Sequence, residues 1–136
     1  MRRQRKRRRG VAAVEFAIVA PIFILLVFGI IELGRAFMVQ QIITNASREG
    51  ARRAIIEGST TNEVKTLVQN YLGSTTVNNG YTINVSPPIS SSMGFGDPVT
   101  VSVSVPYSAV SWLPTTKWMG GVQMSATSTM RIERPQ

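Results

Sequence analysis

The sequence predicts an α+β protein. A long N-terminal helix, half membrane-spanning and half amphipathic, is followed by a short helix and a small antiparallel sheet. Three observations carry this. The run Val11–Ile31 contains one charged residue, Glu15. Beyond it, apolar residues recur with a period near 3.6 to about residue 57. Residues 99–105 then alternate valine with Thr or Ser. The expected domains are a basic leader at 1–10, a transmembrane helix at 11–32, an amphipathic helical spine at 33–57 and an exported α+β domain at 58–136.

Charge is concentrated at one tip. The 136 residues carry 15 Lys and Arg against 7 Asp and Glu, a net +8. Seven of the bases lie within Met1–Arg9, and the chain after Gly10 is nearly neutral. Cysteine and histidine are both absent. That excludes thiol catalysis, Cys/His metal centres, disulfides and a Ser-His triad. No catalytic, cofactor-binding or metal residue is nominated, and the chain is read as non-enzymatic.

The first element is the apolar run. As a helix, Val11–Ile31 is roughly 31 Å long, the thickness of a bilayer hydrocarbon core. A helix apolar all round needs protein or lipid on every side, and the rest of the chain is too small to enclose it. The positive-inside rule keeps the basic tip in the cytoplasm and exports the residues after 32. A nucleic-acid arm would need a further basic or aromatic surface, so no nucleic-acid partner is expected. An ordinary secretory signal would need an Ala-x-Ala site after Ile31, and the sequence has none there. A permanent anchor flank stays open as the alternative: an uncleaved single-pass protein with an exported ligand-binding or regulatory domain.

The junction of tip and run is specific. Arg9-Gly10-Val11-Ala12-Ala13-Val14-Glu15-Phe16 places glycine at the end of the bases, glutamate five positions on and an aromatic next. This resembles the site cut by prepilin peptidases, G|xxxxE[FY]. The resemblance implies cleavage between Gly10 and Val11, with Glu15 and Phe16 serving recognition and assembly. Cleavage there would leave an α-amino group on Val11. Val11 and Glu15 are i and i+4, about 6 Å apart along one helix face. A carboxylate beside lipid is costly unless neutralised, and that amine, on the same or a neighbouring subunit, is the obvious partner. Pro21 removes a backbone donor and is expected to bend the helix; Gly29 and Gly34 offer close-approach surfaces for helix packing.

The second half of the helix repeats Val39, Ile42, Ile43, Ala46, Ala51, Ala54 and Ile55 on one side. Glu49 and Arg53 form an i,i+4 pair, and Gly58 ends the helix. Thr60-Thr61-Asn62-Glu63 fits a capping box for a short helix stopped by Gly73. Asn79-Gly80 signals a turn before Tyr81, Ile83 and Val85. The valines at 99–105 give one apolar and one hydroxyl face. A last strand is expected to put Val122, Met124, Ala126, Met130 and Ile132 inward. The loop 108–121 carries Trp112, Leu113, Trp118 and Met119. These either close one end of the core or form an exposed contact.

Taken together, Arg9-Gly10 through Glu15-Phe16 to Pro21, and Phe28-Gly-Ile-Ile-Glu32-Leu-Gly-Arg35, resemble the TadE-like family. These are pseudopilins or minor pilins of the tight-adherence (Flp) pilus. The resemblance implies processing by prepilin peptidase and assembly with the major Flp pilin, minor pilins and an assembly platform. It places the chain in the bacterial inner membrane, spanning the lipid bilayer once, and implies no cofactor.

Overall fold

The computed structural model describes residues 3–90, 93–112 and 121–133, with side chains from Gly10 onward. Helix α1 spans Arg3–Ala54 and α2 spans Thr61–Gly73. Strands β1 (Thr82–Ser86), β2 (Pro98–Pro106) and β3 (Gln123–Arg131) form one antiparallel sheet in the order β1-β2-β3. A 3-10 turn, Tyr107–Ala109, comes directly after β2. The predicted α+β architecture is therefore present. The chain divides into two compact units, residues up to Gly34 and residues from Arg35 on.

In the second unit the apolar period of α1 becomes a buried face. Val39, Ile43, Ala46, Ala51 and Ala54 are fully buried. The alternation of β2 does the same for the sheet: Val99, Val101, Val103 and Val105 are buried, and Thr100, Ser102 and Ser104 between them are half-buried. Two clusters form the core. One joins Val39 and Ile43 to Val68, Leu72, Val103 and Tyr107. The other joins Ala51 and Ala54 to Val64, Val85, Val99 and Ile132. On the opposite face of the sheet the hydroxyls pair across strands, Thr100 with Thr129 at 2.8 Å and Ser102 with Thr127 at 3.1 Å.

α1 ends earlier than the periodicity suggests, at Ala54 rather than near residue 57. The reason is local. Ile56 N–H donates to the Arg53 carbonyl at 3.2 Å, and the Ser59 hydroxyl donates to that same carbonyl at 2.7 Å. Gly58 then turns the chain at φ 76°. The capping box forms as expected: Thr60 Oγ1 accepts from Glu63 N–H at 3.2 Å, and Glu63 Oε2 accepts from Thr60 N–H at 3.2 Å. The same Glu63 carboxylate receives Arg53 at 3.3 Å. Arg53 thus pairs across the α1–α2 connection rather than with Glu49.

Two further contacts fix the packing. Gly50 faces Val68 and Val101 so closely that a Cβ there would lie 2.7 Å and 3.0 Å from their methyl groups. Ser47, fully buried, donates its hydroxyl to the Thr44 carbonyl at 2.9 Å. Its single hydrogen is then spent, so the 2.9 Å contact with Ser128 requires Ser128 to donate.

β3 alternates as expected, with Ala126 buried and Met124 and Met130 half-buried on the inner side, and Ile132 buried beyond it. Val122 departs from the expected pattern. It is 44% exposed and precedes the strand. The last register pair is Pro106 with Gln123, so the pleat no longer dictates its side.

Candidate functional site

The residues singled out at the N-terminus all lie on α1 within the first unit. Gly10 sits inside the helix and is exposed; a Cβ built on it meets nothing within 4 Å. Gly29 and Gly34 are equally open. Each glycine in a helix costs about 0.5–1 kcal/mol relative to alanine. Among the described residues no close approach accounts for any of the three, in contrast to Gly50.

Val11 and Glu15 are both exposed, one turn apart on α1. Glu15 has no ion-pair partner among the described residues. Phe16 beside it is 73% exposed. α1 continues through Pro21 as helix. The missing N–H there leaves the Ala17 carbonyl without its usual i+4 donor. From Val11 to Leu33 the large apolar side chains are exposed without interruption, including Ile18, Phe23, Leu25 and Ile30. This helix is long and apolar enough to cross a membrane. The side chains of the basic leader lie outside the described residues.

Residues 10–52 match the family model of TadE-like proteins. The matched segment is similar to TadE-like proteins. It is about a third of the chain, it begins at Gly10, and it contains Val11, Glu15, Phe16, Pro21 and Gly29. It also runs on through the helical face that carries Val39, Ile43, Ala46 and Gly50, so it covers both halves of α1. No curated protein and no solved structure gives a match to the chain.

Among the described residues the second unit carries a groove of about 740 Å³ that the C-terminal part of the matched helix helps to line. Arg48, Glu49 and Arg52 of α1 and Leu67 and Tyr71 of α2 line it. The charges are mixed and exposed or half-exposed. Among the described residues no group of three acidic, His or Cys side chains converges to hold a metal ion.

One constellation is not legible in the sequence. Arg35 stacks on Trp112, its guanidinium carbon 4.5 Å from the ring centroid, and its Nε donates to the Val110 carbonyl. Trp112 is 75% exposed, so it does not close the core. The sequence offers a tryptophan in a loop and an arginine just after the apolar run, but nothing in one dimension joins them. Leu113, Trp118 and Met119 lie outside the described residues.

Proposed function

We propose that this chain is a membrane-anchored, non-enzymatic assembly subunit of a tight-adherence (Flp) type pilus, a pseudopilin or minor pilin. Prepilin peptidase cuts it after Gly10. The mature helix, beginning at Val11, stays in the inner membrane with its basic flank removed and residues after 32 exported. Its partners are the peptidase, the other pilus subunits and the assembly platform.

One observation carries this reading. The TadE-like match starts at Gly10 and extends over a helix whose apolar side chains are exposed throughout its first half. Glycine at the cut, with no neighbour that requires it, fits selection by a peptidase rather than by the fold. The exposed Glu15 fits the same account: its carboxylate waits for the α-amino group of a neighbouring mature subunit.

Co-expression with a prepilin peptidase tests the reading. The wild-type chain should shorten to begin at Val11, and Gly10→Glu should stay full length. Glu15→Ala should be exported but should lower pilus number. A wild-type chain that keeps its arginines in the presence of active peptidase would instead establish the uncleaved single-pass anchor.

A further inference from the structure

We propose that Arg35 and Trp112 form a lipid-headgroup anchor that holds the exported domain against the membrane surface. The proposal rests on the reading of 11–32 as the membrane span. α1 is unbroken from Ile31 to Arg35. Arg35 therefore lies only about 6 Å along the helix beyond the last residue of the apolar run. The interfacial layer on each side of a bilayer is about 5–7 Å thick, so this is the depth of the phosphates.

The chemistry at that depth suits a headgroup. Among the described residues the Arg35 guanidinium gives its Nε hydrogen to Val110 and makes no ion pair, which leaves the Nη fork that pairs with a phosphate in bidentate fashion. Trp112, stacked on it, presents an apolar ring and an indole N–H, the combination enriched at membrane interfaces.

The turn leading to Trp112 is tied to the core. Val110 and Tyr107 are buried in the core cluster. Val110 N–H and Ser111 N–H both donate to the Tyr107 carbonyl, at 3.1 Å and 3.0 Å. Trp112 thus follows a hydrogen-bonded turn.

Exposed apolar side chains gather at the same end. Phe37 is 74% exposed, and Met38 comes next on α1. The exposed Val122 is tied to the turn through Tyr107 N–H, which donates to its carbonyl at 2.9 Å. A dry contact with another subunit would have to bury an arginine beside the tryptophan, whereas a headgroup layer accommodates both.

The test uses the full chain, with Trp118→Phe so that Trp112 is the sole tryptophan. It is reconstituted in phosphatidylethanolamine–phosphatidylglycerol vesicles, with flotation confirming insertion. Bromines near the headgroup end of the acyl chain should quench Trp112 strongly, and bromines near the chain terminus weakly. Aqueous iodide should quench little. Arg35→Gln should lose part of the lipid quenching and gain iodide quenching. A second probe does not depend on Trp118→Phe. The chain has no cysteine, so Val122→Cys with a nitroxide gives a unique label, expected at interfacial depth. Inserted protein with iodide-quenched Trp112 and no bromolipid quenching would overturn the anchor alone. Emission that shifts with protein-to-lipid ratio, again without bromolipid quenching, would overturn it in favour of a subunit contact. Failure to float with the vesicles would overturn the membrane reading itself.

Discussion

The two halves of α1 belong to one helix and meet different demands. From Val11 to Leu33, large apolar side chains point outward on every side and stay exposed. From Val39 to Ala54, apolar residues keep to one face and are buried. The glycines divide the same way. Gly50 is there because Val68 and Val101 leave no room for a Cβ, while Gly10, Gly29 and Gly34 meet no neighbour among the described residues. Burial within the chain explains the second half from Val39 to Ala54. The first half has no such account among the described residues; the proposed function supplies one in a bilayer, a peptidase and neighbouring helices.

That contrast can be broken or sharpened by substitution, and the largest effect belongs to the first half. Leu25→Arg together with Phe23→Arg places charge in the middle of the apolar run. Each arginine should oppose insertion by about 2.5–3.5 kcal/mol, moving the chain to the alkaline-extractable fraction. A double variant that stays membrane-integral would contradict the span.

Next comes Ile43→Ala, at a fully buried position. It should lower stability by about 2–5 kcal/mol, read as a fall in denaturant midpoint for the full chain in detergent. Ile24→Ala, in the exposed half of the same helix, should leave that midpoint unchanged.

Gly50→Ala ranks third, at about 1–3 kcal/mol from overpacking against Val68 and Val101, measured in the same way. Gly29→Ala should be neutral or slightly stabilising for the isolated chain, because its surroundings are open. A loss of pilus assembly in that variant would assign Gly29 to helix packing between subunits.

The smallest effect is Thr60→Ala. It removes the side-chain acceptor for Glu63 N–H and should cost about 1 kcal/mol.

Legibility in the sequence tracks the range of the interaction. The apolar run, the α2 capping box and the β2 alternation are local patterns, and each can be read from spacing alone. α1 stops a few residues before its apolar period does, because the Ser59 hydroxyl decides where the Arg53 carbonyl is satisfied. Gly50, the Ser47–Ser128 contact and the Arg35–Trp112 stack join residues far apart in the chain, and no periodicity announces them. Val122 obeys strand parity on paper yet lies before the first paired residue of β3. The candidate site is more legible than the domain core because its determinants, Gly10 to Phe16, lie within a single stretch of helix.

The central claim is that the basic tip is a leader and the apolar half of α1 is what remains. Intact mass and N-terminal sequencing of the protein from its native membranes test it most directly. The account predicts a chain that begins at Val11, lighter than the full sequence by roughly 1.4 kDa. A membrane-bound chain that still carries Arg2 to Arg9 would contradict it.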